Sequence, residues 1–349
     1  MTQRIVAGLV AVPLLVALWW KAGTEGLPYV TYEPGLTLDV LAETHGNEII
    51  QVTGHKTYRD DGELRMTTVY VSQPRPSKVT LFELMHDWIS KDDAVYPYDA
   101  VYQQDETPEQ NQQEGAVDMV SSQDNATAVA LHELGYDVKP ALEVLSVTKG
   151  APADGKLKVR DIIEKVGGVT VRQSDDLTNA IGNTPPGRSL PLTVRRDGKS
   201  VTVQVTPVET DGSPKIGIQI GIGYVFPFQV SVKIDPNIGG PSAGLMFSLG
   251  IYDTLTPGSL TGGAIVAGTG TIDAKGHVGP IGGIQQKIVG ARDAGAQLFM
   301  VPPDNCSDAL QAPHGDMRLV KATTMHDAVA SIEAWAKDHD AALPSCTDK

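Results

Sequence analysis

Basic residues are scarce in this 349-residue chain: 28 Lys and Arg face 42 Asp and Glu, a net charge of −14. No basic cluster offsets that balance. Nucleic acid is thereby excluded as a partner, and so is an anionic lipid held by charge, since both are bound through neutralised phosphates. Cysteine is nearly absent. Cys306 and Cys346 are the only two, and they form no C-x-x-C pair or Cys/His cluster that would hold zinc. In an oxidising compartment they could pair and tie down the C-terminal tail; otherwise both remain thiols. No G-x-x-x-x-G-K-[ST] phosphate loop occurs. The nearest approach, Gly270 to Lys275, lacks the second glycine before the lysine and the hydroxyl after it. Neither cofactor nor metal nor ATP coupling is expected.

One long apolar run stands out. Ile5 to Trp20 is interrupted only by Gly8 and Pro13, with Arg4 before it and Trp19-Trp20-Lys21 closing it like an interfacial belt. Sixteen such residues span about 24 Å as a helix, short of the roughly 30 Å hydrocarbon core. No small-x-small cleavage site follows the run cleanly. The segment therefore reads as an uncleaved signal anchor over residues 1–22, with a cleaved signal peptide as the alternative. Either reading puts the C-terminal bulk outside the cytoplasm, as a single-pass protein of the cell membrane.

Downstream, Leu27 to Gly35 reads as a Pro/Tyr/Gly-rich spacer. Ile49–Val52 and Thr67–Val71 read as strands, with Asp60-Asp61-Gly62 as a turn between them. Leu81, Leu84, Met85 and Trp88 give Thr80 to Ile89 a helical period. Asp105 to Glu114 is a loop or the exposed start of a helix, and Val117 to Leu134 is a helix with Ala126, Val129, Ala130 and Leu134 on one side. From 136 to 209 the rhythm changes to short apolar runs between Gly and Pro turns, with one helix from Ser174 to Ile181 and a hairpin turn at Arg196–Lys199.

The chemistry sits in the last third. In Gly282-Gly283-Ile284-Gln285-Gln286-Lys287-Ile288-Val289-Gly290-Ala291-Arg292, positions 284, 287, 288 and 291 form a buried helical stripe. Three of these are Ile, Ile and Ala; the fourth is Lys287, while Gln285, Gln286 and Arg292 take the wet side. A buried ammonium tends to lose its proton or find a partner, and a neutral amine is a base. Its natural partner is Ser242 in Gly239-Gly240-Pro241-Ser242-Ala243-Gly244. A strand (Phe228–Ile234) precedes that loop. An apolar helix (Leu245–Tyr252) follows it, with Pro241 at the first helical position. Helix-start amides there point outward and could hold a tetrahedral oxyanion. Gly239, Gly240 and Gly244 allow close approach.

Two resemblances follow from these residues. Gly150-Ala151-Pro152-Ala153, Gly155, Leu157, Asp161-Ile162-Ile163 and Val166-Gly167-Gly168-Val169 resemble PDZ domains of the bacterial protease-associated kind. Such a domain captures extended peptide ends by strand addition. The resemblance places the peptide near Ala141, Leu142 and Val144, although Lys139-Pro140-Ala141-Leu142 lacks the family's loop glycine. Gly240-Pro241-Ser242-Ala243-Gly244, Thr269-Gly270 and Gly279-Pro280-Ile281-Gly282-Gly283 with Lys287 resemble the Lon-type proteolytic domain.

Together with the anchor, these motifs resemble the PDZ-containing, membrane-anchored branch of that family. The resemblance implies an α+β or α/β chain made of a transmembrane helix, a PDZ domain (136–209) and a Lon-type α/β domain (210–345). Residues 23–135 are expected to complete the protease fold, because the family's domain is longer than the stretch after the PDZ module. It also implies a Ser-Lys dyad in which Ser242 attacks after Lys287 takes its proton, supported by Thr269 and Gly240. Protein or peptide substrates and a homo-oligomer follow on the same ground. Cytoplasmic Lon has Asp three residues before the serine; here Gly239 stands there, and Asp235 is the nearest carboxylate upstream.

Three rivals compete. Gly240 to Gly244 also fits G-x-S-x-G of α/β-hydrolase esterases, which would need Asp273 or Asp304 together with His326. A membrane-tethered PDZ adaptor with an inactive protease half is the non-enzymatic alternative. Lys287 could also snorkel out from the edge of its stripe.

Overall fold

The computed structural model describes residues 3–44, 46–74, 79–185, 187–210 and 212–347. Helix α1 (Gln3–Thr24) projects from the body with Ala7–Thr24 unburied. At 1.5 Å per residue its 22 residues reach about 33 Å, so it is long enough to span a bilayer where the apolar run alone looked short. Strand β1 (Tyr29–Asp39) follows, then β2 (Ile50–Thr53), β3 (Glu63–Val71), α2 (Leu81–Ile89), β4 (Ala94–Pro97) and the long α3 (Pro108–Glu133). A second set comprises β5 (Lys139–Val147), β6 (Ile162–Val166), α4 (Ser174–Gly182), β7 (Leu190–Arg196), β8 (Lys199–Val205) and β9 (Ile218–Val225). The chain ends with β10 (Gln229–Val232), α5 (Gly244–Leu255), β11 (Ile265–Gly268), α6 (Ile284–Asp293), β12 (Leu298–Val301), β13 (Arg318–Lys321) and α7 (Met325–Lys337).

Two main sheets organise these elements. A six-stranded mixed sheet runs β13-β12-β11-β3-β1-β4. Its C-terminal strands are parallel and meet β3 in parallel, whereas β1 pairs antiparallel with β3 and β4. Half of the sheet thus comes from before residue 100 and half from after 264. One core cluster joins Leu64 and Met66 of β3, Ala126 to Leu131 of α3, Leu245 to Ile251 of α5 and Ile332 of α7. Between these halves in sequence lies the antiparallel sheet β8-β7-β6-β5-β9, with its own core of Val144, Ile163, Leu177, Leu192, Val194 and Val205.

Several local readings change. Tyr29 to Gly35 is sheet rather than spacer: Pro34 and Gly35 sit at a register shift between Pro34 and Thr37, where β1 needs no regular ladder donor. Ile50–Thr53 does not pair with its sequence neighbour β3; it pairs with β10, holding the strand that leads to Ser242. Helix α3 starts inside the polar stretch, because the Thr107 hydroxyl accepts from Gln110 N–H and the Gln110 side chain returns to Thr107 N–H. The edge strand β9 carries the second sheet past 209, to Val225. Cys306 and Cys346 are joined by a disulfide with Cα atoms 5.0 Å apart, which fastens the tail beside the α6 cluster.

Candidate active site

Ser242 and Lys287 meet. The amine Nζ lies 2.7 Å from Ser242 Oγ and 3.1 Å from Thr269 Oγ1, and the Thr269 hydroxyl donates to Ser242 O at 3.0 Å. Lys287 is 2 % exposed and Thr269 fully buried, while Ser242 is half-buried. Among the described residues no carboxylate pairs with the amine. Burial alone therefore pushes its pKa down from 10.5 to about 7, so near neutrality about half the amines are uncharged and able to act as a base toward the serine.

The stripe that places Lys287 is built as the sequence suggests, with Ile284, Ile288 and Ala291 buried around it. Gly283 begins α6 with φ +68°. A Cβ there would lie 2.8 Å from Val69 and 3.1 Å from Tyr32, so glycine lets the helix start against β3 and β1. Gln286 departs from the expected wet face. It is 2 % exposed and donates to Asp92 O, because the loop before β4 folds over that side of α6.

Ser242 lies two residues ahead of α5, which begins at Gly244; Pro241 precedes the helix rather than opening it. The loop is tied on three sides. Ser242 O accepts from Gly270 N–H at 2.8 Å, Gly240 N–H donates to Gly115 O at 2.8 Å, and Ser122 Oγ donates to Pro241 O at 3.0 Å. Gly240 adopts φ +90°. The N–H groups of Ser242 and Ala243 meet no backbone acceptor among the described residues, leaving two donors beside the hydroxyl. Gly115 and Ser122 of α3 were not singled out in the sequence. An isolated glycine inside a helical pattern was the available signal. The same contact bears on Gly239: a Cβ there would sit 3.1 Å from the Gly115 carbonyl carbon, so a side chain at this position requires the α3 backbone to give by a few tenths of an ångström. Asp235 is exposed and accepts from Asn237, with no recorded bond to Ser242 or Lys287.

The esterase triad does not assemble. His326 pairs with Glu133 at 2.7 Å, and Asp273 with His277 at 2.9 Å. The residues expected near a peptide lie inside the sheet. Ala141, Leu142 and Val144 lie on β5, an interior strand bonded to β9 on one side and to β6 on the other. Strand β9 ends the sheet, so its outer edge can take another strand. Where the PDZ sheet meets α3, Arg160 binds Gln123 at 2.6 Å and Asp124 at 3.4 Å. Glu143 is buried against Asp124, and burial followed by that neighbouring charge raises its pKa to about 9. A separate group, His86, Asp87 and Asp93, brings potential metal-ligand atoms within 4.8 Å of one another. It lies on α2 and the loop after it, apart from the serine–lysine pair.

Comparison with known proteins finds two matched segments. Residues 117–206 match the PDZ domain model, and residues 236–333 match the Lon protease (S16) C-terminal proteolytic domain. Lon protease 2 of Herpetosiphon aurantiacus is 37% identical over 81 residues, covering 23% of this chain and 10% of that protein. Lon protease of Haemophilus influenzae is 33% identical over 94 residues, 27% of this chain and 11% of that protein. The chain thus matches about a tenth of the length of these relatives. The PDZ domain of an SdrC-like protein of Listeria innocua is 24% identical, covering 23% of this chain and 92% of that one, with a TM-score of 0.22. With the matched segments, the two sheets and the serine–lysine contact in agreement, this chain joins a PDZ domain to a Lon-type (S16) C-terminal proteolytic domain, the serine protease domain that works through a Ser-Lys dyad.

Proposed function

We propose that this protein is a membrane-anchored endopeptidase that cleaves flexible or unfolded protein segments without ATP. Ser242 is the nucleophile and Lys287 the general base. The observation that carries the reading is the 2.7 Å approach of an uncompensated, buried amine to the Ser242 hydroxyl. In the reaction, Oγ attacks the scissile carbonyl carbon while its proton passes to the Nζ lone pair. The N–H groups of Ser242 and Ala243 receive the developing oxyanion. Collapse expels the amine product, which takes the proton from Nζ, and leaves an acyl-serine. Water deprotonated by the same amine then releases the acid. Thr269 holds Nζ in line, and Gly240 lets the loop turn.

The absence of a phosphate loop from this sequence supports independence from ATP. Helix α1, with its Trp19-Trp20 end, supports a single span, and the bulk is outside the cytoplasm in this reading. The free edge of β9 supports capture of an extended peptide, and β9 leads through β10 to the nucleophile loop. Residues 23–135 and 210–345 form one catalytic unit in this reading, with the PDZ domain inserted between them, and a ring of copies is the assembly. The test is cleavage of an unstructured polypeptide by the full chain in lipid nanodiscs, with nucleotide removed. Cleavage that disappears in Ser242→Ala and in Lys287→Met supports the proposal; cleavage that survives Ser242→Ala overturns it.

A further inference from the structure

Helix α2 is amphipathic the wrong way round for a water-facing helix. Leu81, Phe82, Met85, Trp88 and Ile89 fall on one side at i, i+3, i+4 and i+7 spacings. They are 36–80 % exposed, with Trp88 at 80 % and Ile89 at 79 %. On the other side one carboxylate is buried: Asp87 is 6 % exposed, and its pKa is raised by burial first and then by Asp93. A surface helix of a water-soluble domain normally does the reverse, and a contiguous exposed apolar stripe marks a surface that is covered by something.

The position of α2 identifies the cover. Phe82 packs on Trp19 of α1 with ring centroids 5.0 Å apart, and it also lies against Gly23. Trp19 and Trp20 close the apolar part of α1, where aromatic side chains mark the membrane–water boundary. The apolar face of α2 is therefore continuous with the end of the spanning helix, at the depth of the headgroups. Amphipathic helices with Trp, Phe and Leu on one face can lie in the plane of the interface with that face buried at the headgroup–acyl boundary. The flanking charges are mainly acidic, Glu83, Asp92 and Asp93 against Lys91, so the attraction is apolar and needs no anionic lipid.

We propose that α2 is a second membrane contact, an interfacial helix that lays Phe82, Met85, Trp88 and Ile89 into the bilayer beside α1 and holds the protease domain against the membrane surface. Paired with α1, it restrains the body at two points, which limits the distance from the membrane at which Ser242 can meet a substrate. This inference rests on α1 being the span, and the test separates the two claims.

The chain contains four tryptophans: Trp19, Trp20, Trp88 and Trp335. The full chain is reconstituted into phosphatidylcholine vesicles with and without lipid brominated along the acyl chains, at less than one copy per vesicle. In a variant whose only tryptophan is Trp88, the expected result is blue-shifted emission strongly quenched by brominated lipid and unchanged by high salt. A variant whose only tryptophan is Trp19 reports on the span. If Trp19 is quenched while Trp88 emits as a water-exposed indole, the proposal is overturned and the anchor stands. If neither is quenched, both fall. Blue-shifted but unquenched Trp88 emission shows that protein covers the face, whether a second copy or another segment, and also overturns the proposal. Trp88→Phe alone, with the other tryptophans kept, must lose the matching quenched component, a check that does not depend on replacing the buried Trp335.

Discussion

Replacing Lys287 with Met should make this protein more stable and inactive. The lysine is 2 % exposed and has no acidic partner among the described residues, and its pKa falls from 10.5 to about 7 on folding. At about 1.4 kcal/mol for each tenfold change, that depression corresponds to a folding cost of about 5 kcal/mol below pH 7. The sign follows from proton counting: between pH 7 and 10.5 the unfolded chain holds a proton that the folded chain has released, so wild-type stability rises with pH across that window. Methionine fills a similar volume and removes the titration. It also gives up the contacts to Ser242 and Thr269, at about 1 kcal/mol each. The net gain is about 3 kcal/mol below pH 7, a rise in Tm of roughly 4–6 °C. Near pH 10.5 the order reverses, because only the lost hydrogen bonds remain. Thermal melts of the full chain in nanodiscs, wild type against variant from pH 6 to pH 10.5, read the difference directly, and titrations elsewhere cancel. A gap of one size at every pH, or a variant that is less stable at pH 6, would refute the claim that the buried amine is held neutral by desolvation.

Other consequences follow from the same geometry. Activity should rise through an acid limb with a midpoint near pH 7, set by deprotonation of Lys287; a rate flat from pH 5 to 9 contradicts it. Thr269→Val should lower kcat about 10- to 100-fold with little change in KM, and Thr269→Ser should restore most of it; equal defects in both would point to packing. Gly239→Asp should destabilise the nucleophile loop by about 1–2 kcal/mol and cut the cleavage rate, because its Cβ meets the Gly115 backbone at 3.1 Å; a fully active, equally stable variant would show that α3 yields freely. Reducing the Cys306–Cys346 bond reopens a 40-residue separation and should cost about 4 kcal/mol in the chain-entropy model, read as a lower Tm in reductant that Cys346→Ser no longer shows.

The amine on an apolar stripe was legible in the sequence because helical periodicity exposes a single misplaced charge, and the G-P-S-A-G loop supplied its partner. Contacts between segments distant in the chain were not. Gln286 looked like a surface residue until the Asp92 loop covered it, and nothing local to position 239 announces the Gly115 backbone. The Pro34-Gly35 bulge disguised β1 as a spacer. The resemblance puts the peptide's carboxylate loop at Lys139-Pro140-Ala141-Leu142, the start of β5, but β9 from beyond the PDZ module pairs along β5 and ends the sheet. The period of α2 showed a helix with an apolar side, and periodicity does not report what covers that side. Long-range pairing decided each of these, and single-sequence patterns carry little of it.

The most direct measurement of the central claim is mass spectrometry of the full chain after brief exposure to an activated acyl ester, with peptide mapping of the adduct. The account predicts acyl transfer to Ser242 in the wild type and its near-complete loss in Lys287→Met, while that variant keeps its fold and its raised Tm at pH 6. An adduct on a different residue, or one that forms on Ser242 equally fast without the lysine, would contradict it.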